Sequence, residues 1–156
     1  MFSARELLKI AISVEKEGEE FYRRLGERFQ KPDIKEFFLF MSREEAEHAR
    51  TFERIGDMIG ANEEVYLNME EAEPFLRSYV EGRFFPSFKT MEEYLGDRSV
   101  EEAIDFSISL EKETIIFYYE ISETLKNEKA KNLVRAIIQQ EKGHVSKLLK
   151  VKGLIG

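Results

Sequence analysis

The chain contains no cysteine and no tryptophan, only two histidines and three prolines, and few glutamines (three) or asparagines (four). Without cysteine there is no disulfide framework, no thiolate metal site and no Cys-x-x-Cys redox pair. The redox compartment is therefore not readable from thiols. An excess of positive charge is also missing. Lys and Arg number 24 against 31 Asp and Glu, a formal charge of -7, which argues against a nucleic-acid groove and against adhesion to an anionic membrane. Long apolar runs are absent too. The longest, Phe37 to Met41 and Ile115 to Tyr119, are five residues each, far short of the roughly 20 needed to span a bilayer. Arg5, Glu6 and Lys9 interrupt the N-terminal stretch, which lacks the apolar h-region of a signal peptide. A cytoplasmic protein is the expectation.

What the chain does have is glutamate, 27 of its 31 acids. With plentiful Lys and Arg and few amides, that composition leans towards a thermophile. The length of 156 residues suits one domain, since a chain of about 150 residues buries roughly 70% of its unfolded surface.

Four segments carry helical periodicity with recognisable ends. Ser3 and Glu6 form a capping-box pattern that opens a helix over about 3–29, and Pro32 and Asp33 open a second over 32–60 that Gly60 can close. Ser99 and Glu102 repeat the capping box for a helix over 99–125. Asn127 is a suitable N-cap for the last, over about 127–152, stopping around Gly153. Gly18 and Gly26 lie inside the first helix, where each costs up to about 1 kcal/mol relative to Ala. The stretch 61–98 is long enough to carry structure of its own, with a short helix expected over 70–81 and a turn over 91–95. Its Phe75, Tyr79, Phe84, Phe85, Phe88 and Tyr94 are expected to cover the bundle or to contribute to a homodimer.

Short flanking links make the first two and the last two helices antiparallel hairpins, and the long crossover returns the chain along their length. This predicts an all-α fold, a ferritin-like four-helix bundle of two hairpins joined by one long crossover. An internal repeat agrees. A shift of 96 positions places Ser3 on Ser99, Glu15-Lys16-Glu17 on Glu111-Lys112-Glu113, Phe21-Tyr22 on Phe117-Tyr118, Glu45 on Glu141 and His48 on His144. Ten of the 27 positions from Ser3 to Phe29 are identical under that shift.

Alternating three- and four-residue steps keep one face of each helix towards the bundle axis. On the four stripes so drawn, the ionisable residues other than Tyr are Glu15, Glu45, His48, Glu111, Glu141 and His144, all midway along their helices. Isolated buried carboxylates take up protons, and four at one level repel one another unless cations neutralise them. Two divalent ions balance four carboxylates while the histidines bind as neutral imidazoles. One Glu from each of two helices plus Glu-x-x-His from the other two is a di-iron or di-manganese pattern. The i,i+3 spacing puts both side chains of each motif on one helix face. Chance alone places Glu three residues before both histidines about 3% of the time in a chain this rich in Glu. Acid–histidine hydrogen bonds without metal are the bland alternative. Glu17 and Glu113, two residues beyond a ligand position, are expected on the surface.

Glu15, Glu45-x-x-His48, Glu111 and Glu141-x-x-His144 resemble the di-iron domain of rubrerythrins, within the ferritin-like superfamily. The resemblance implies two iron ions, with manganese or a mixed metal pair as alternatives. It also implies reduction of peroxide or dioxygen with electrons from an external donor such as a rubredoxin-like protein. Tyr22 matches a tyrosine that hydrogen-bonds a ligand carboxylate in that family, and Tyr118 or Tyr119 is the counterpart after Glu111; ordinary core packing explains these tyrosines equally well. The chain departs from rubrerythrins proper in having no four-cysteine iron site. It also has Thr114 where they carry a further glutamate that takes part in a redox-linked iron shift, so the resemblance does not extend to that shift. Gly18, Thr114, Ala11 and Ser107 form a ring of small residues that leaves room for an oxidant; close helix packing is the other explanation for the glycine. Ferrous-iron oxidation for sequestration, and a metal held only for stability, are the competing functions.

Overall fold

The computed structural model describes residues 3–60 and 95–155, together with Pro74 and Glu93. Most of the crossover, including the expected short helix at 70–81 and Phe75, Tyr79, Phe84, Phe85, Phe88 and Tyr94, lies outside the described residues. Within them run four long helices: α1 (Ala4–Arg28), α2 (Pro32–Met58), α3 (Val100–Thr124) and α4 (Glu128–Ile155). The fold is the ferritin-like four-helix bundle, all-α, with α1–α2 and α3–α4 as antiparallel hairpins. Across the bundle α1 packs beside α3, and α2 beside α4.

The helix ends follow local chemistry, with three departures from the sequence expectation. The Ser99–Glu102 box is complete, whereas at Ser3 only the serine oxygen is engaged, accepting from the Glu6 amide at 3.1 Å. Asn127 caps α4 as expected, its Oδ1 accepting from the Ala130 amide at 3.0 Å. Gly60 does not close α2; the helix ends at Met58 with Ile59 extended, and its amide still bonds to Ile55. Gly153 does not stop α4 either, which continues to Ile155. Neither glycine has positive φ, so neither supplies the left-handed turn by which glycine ends a helix.

The predicted stripes are the buried faces. All their positions are buried except Phe29, Val100 and Val151 at the helix ends, which are half-buried. The apolar core divides into two clusters. One joins Leu7, Leu8 and Val14 of α1 to Phe52 and Ile55 of α2, Phe117 and Ile121 of α3, and Val134 and Ile137 of α4. The other joins Phe21, Leu25, Phe38, Met41, Ile104 and Leu148, with Leu95 from the end of the crossover. Burial of each such side chain stabilises by about 1.5–3 kcal/mol relative to exposure. Gly26 lets α1 approach α2 at one end: a Cβ there would lie 2.9 Å from the Leu39 side chain and 3.3 Å from the Lys35 carbonyl. Between the two apolar clusters sits a polar layer.

Candidate metal centre

The polar layer consists of the six residues singled out from the sequence. Glu15, Glu45, His48, Glu111, Glu141 and His144 are each at most 3% exposed. Every buried side-chain nitrogen or oxygen without a hydrogen-bond partner among the described residues belongs to one of these six. Buried polar groups are almost always satisfied, so such a concentration of unpartnered polar atoms requires an explanation.

Their arrangement supplies one. Glu15, Glu45, His48 and Glu141 each present one atom, all within 4.8 Å of one another, and so do Glu45, Glu111, Glu141 and His144. Metal–ligand bonds of about 2.1 Å put opposite donors about 4.2 Å apart, so each set has the size of one coordination sphere. Glu45 and Glu141 occur in both sets. His48 Nδ1 lies 2.5 Å from Glu141 Oε1 but without hydrogen-bond alignment, and 3.6 Å from Glu15 and 3.7 Å from Glu45. His144 Nδ1 lies 3.1 Å from Glu45, 3.6 Å from Glu141 and 3.7 Å from Glu111. These atoms converge on shared points rather than on one partner each. The donor set of carboxylate oxygens and imidazole nitrogens fits a pair of divalent ions.

The tyrosines are exchanged between the repeats. Tyr22 of α1 donates to Glu111 Oε1 of α3 at 2.6 Å, and Tyr118 of α3 donates to Glu15 Oε1 of α1 at 2.7 Å. Tyr119, the other candidate, is 56% exposed. Burial, reinforced by the charge of Glu111 beside Tyr22 and of Glu15 beside Tyr118, pushes both phenols well above their usual range. They therefore remain donors. Each glutamate is held by one oxygen, leaving its Oε2 among the orphaned atoms.

Of the small-residue ring, Gly18 and Thr114 line a cavity of about 10 Å³ with Phe21, Tyr22, Glu45, Leu110 and Glu111, room for about one water-sized molecule. Ala11 and Ser107 are buried but do not line it. Gly18 is also required for close approach, since a Cβ there would lie 3.0 Å from Glu45 Oε2. Gly18→Ala is expected to gain up to about 1 kcal/mol of helix propensity in chelated protein yet to weaken metal binding by displacing the Glu45 carboxylate. Melting temperature and metal affinity should move in opposite directions.

Without a bound cation, protons are shared instead. Burial, with the charge of Glu141 next, raises Glu15, and raises Glu45 and Glu111 well above the carboxylate range. Glu141 goes the other way: burial opposes its charge, but Glu111, His144 and His48 hold it well below that range. Burial also works against charge on the imidazoles, yet Glu141 and Glu15 carry His48 up to about 11, and Glu111 and Glu141 carry His144 to about 10. Raised imidazoles stabilise fully below their ordinary pKa of 6.5, and that contribution disappears as pH rises through about 10 to 11. The three raised carboxylates act in the same direction from 4.5 upward; Glu141 loses its contribution only as pH falls below 4.5. Chelated protein should therefore melt at a lower temperature near pH 10 than near pH 6, and an unchanged melting temperature would contradict this proton sharing.

Glu17 is half-buried, Glu113 is exposed, and neither belongs to the cluster. Two neighbours of the site escaped the sequence reading. Gln140 Oε1 lies 2.6 Å from His48 Nε2, and Glu44 Oε1 lies 4.0 Å from His144 Nε2. The 96-residue shift superposes Glu44 on Gln140, the one signal by which they were open to discovery.

No curated protein sequence matches the chain. Among solved structures it is similar to a Thermotoga maritima protein assigned to the ferritin-like diiron-carboxylate proteins. The two are 32% identical with a TM-score of 0.71, over 97% of this chain and 95% of the other. A family model for rubrerythrin matches residues 6–152. With a family match over most of its length, a ferritin-like bundle and a buried layer of four glutamates and two histidines, the chain belongs to the rubrerythrin family.

Proposed function

We propose that this protein is a di-iron oxidoreductase that reduces peroxide or dioxygen with electrons from an external donor. The observation that carries this reading is the pair of overlapping donor sets sharing Glu45 and Glu141. Glu45 and Glu141, common to both sets, would be shared by two ions, while Glu15 with His48 and Glu111 with His144 would each help to hold one of them. Two ferrous ions supply the two electrons that, with two protons, cleave hydrogen peroxide to two waters.

The chain's own residues prepare that chemistry. Tyr22 and Tyr118 orient the terminal glutamates and leave one oxygen of each free. The apolar clusters on either side keep bulk water from the layer. Gly18 and Thr114 leave a space for about one water-sized molecule against Glu45 and Glu111. Carboxylate-rich ligation also suits manganese, and metal analysis of the purified protein distinguishes the two.

The test is stopped-flow mixing of anaerobically ferrous-loaded protein with hydrogen peroxide. A ferric absorbance change faster than that of free iron, with two irons oxidised per peroxide, is the expected result. Oxidation no faster than free iron overturns the peroxidase reading. Accumulation of ferric iron well beyond two ions per chain favours sequestration instead.

A further inference from the structure

The two histidines turn the same nitrogen inward but meet different chemistry outside. Nδ1 of each faces the carboxylates, and Nε2 points to the neighbouring Glu-x-x-His helix. There His48 of α2 meets the amide oxygen of Gln140 on α4 at 2.6 Å, whereas His144 of α4 faces the carboxylate of Glu44 on α2 at 4.0 Å. Glu44 and Gln140 are equivalent under the 96-residue repeat, each immediately before the glutamate of its motif. The crossed pair thus carries a negative charge on one side and a neutral amide on the other. His144 Nε2 is fully buried without a hydrogen-bond partner, and the partly exposed Glu44 carboxylate stands 4.0 Å from it.

We propose that Gln140 and Glu44 are positioning residues for the two histidines, and that their difference in charge makes the metal positions unequal, the ion held through His144 binding first. The inference rests on the di-metal reading above. An imidazole that offers Nδ1 to a metal must keep its proton on Nε2, and an acceptor placed at Nε2 selects that tautomer. Gln140 does so for His48 as a neutral acceptor. Glu44, as an anion 4.0 Å from His144 Nε2, would favour the same tautomer through its charge and make Nδ1 the stronger donor. The terminal glutamates are held alike on the two sides. Glu15 with Tyr118 on one side mirrors Glu111 with Tyr22 on the other. Thr114, opposite Gly18, directs its hydroxyl to the Leu110 carbonyl. Of the groups that face the two Nε2 atoms, Glu44 is charged where Gln140 is neutral.

Because the chain has only two histidines, each can be followed separately. Chelated full-length protein labelled with nitrogen-15 in histidine is titrated with zinc ion as a diamagnetic probe, with a His48→Gln variant assigning the signals. The first equivalent should shift Nδ1 of His144 before that of His48, and calorimetry should resolve two steps differing by about tenfold or more. Glu44→Gln should bring the steps together, and the exchanged variant Glu44→Gln/Gln140→Glu should make His48 respond first, a reversal that a merely structural role would not produce. Simultaneous shifts in the unmodified protein, coordination through Nε2, or an order unaffected by Glu44→Gln each overturn the proposal while leaving two bound ions intact. Failure to bind zinc at all overturns the di-metal reading itself.

Discussion

Replacing both His48 and His144 with alanine is expected to reduce metal binding from two divalent ions per chain to none at micromolar metal. Each histidine is the sole nitrogen donor in its set of four. Its loss leaves three carboxylates, two of them shared with the other ion, and removes the only neutral ligand. Outer hydrogen bonds to metal-binding histidines are already worth roughly 10–100-fold in affinity, so deleting the ligands themselves has a larger effect. Metal content after anaerobic ferrous loading and desalting measures this directly. Glu17→Gln/Glu113→Gln serves as the matched control: two acids are removed, both outside the cluster, and two ions should remain. Unchanged metal content in the histidine variant would remove these residues from the site.

The second large effect is thermal. Four carboxylates and two imidazoles fill the middle of the bundle, and bound cations would remove their mutual repulsion. A ligand present at 100 times its Kd stabilises by about 2.7 kcal/mol per site, so two sites contribute about 5 kcal/mol. For a chain of this size each kcal/mol is about 2–4 °C. Calorimetry should therefore find the ferrous- or manganese-loaded protein melting roughly 10–20 °C above the chelated one. Coincident transitions would mean that proton-sharing acid–histidine contacts suffice, and the layer would be structural. The alkaline sensitivity predicted for chelated protein should vanish on loading, since the cations displace the protons whose loss causes it.

Much of this molecule is legible in its residues because its repeats and stripes are local or periodic. The three- and four-residue steps that pick out Glu15 and Glu111 also pick out Leu8, Tyr22, Ile104 and Tyr118, all of them buried. Serine, asparagine and proline at the helix starts have their chemistry within a single turn, and Ser99 with Glu102 makes the whole box. Helix ends are less legible: Gly60 and Gly153 have the composition of stops, but the backbone there takes no positive φ.

Contacts between helices are a different matter. Sequence alone left open whether Tyr118 or Tyr119 faces the site, and it did not say which ligand carboxylate each tyrosine meets. Each tyrosine meets the glutamate of the other helix, because α1 and α3 run antiparallel side by side and Tyr22 lies level with Glu111 while Tyr118 lies level with Glu15. Gly18 is small because Glu45 of the neighbouring helix comes within 3.0 Å of where a Cβ would stand. Neither distance is encoded in the spacing of one helix.

Helical periodicity and the 96-residue repeat by themselves thus determine four helices, their buried faces and the six polar residues at one level. These are consequences of 3.6 residues per turn, which acts along a single chain segment. Only the tertiary structure decides which atoms meet: the crossed tyrosines, the two donor sets that share Glu45 and Glu141, and the unequal partners Glu44 and Gln140 behind the histidines. Those depend on the angle and distance at which antiparallel helices pack, which side-chain volume across the whole core sets.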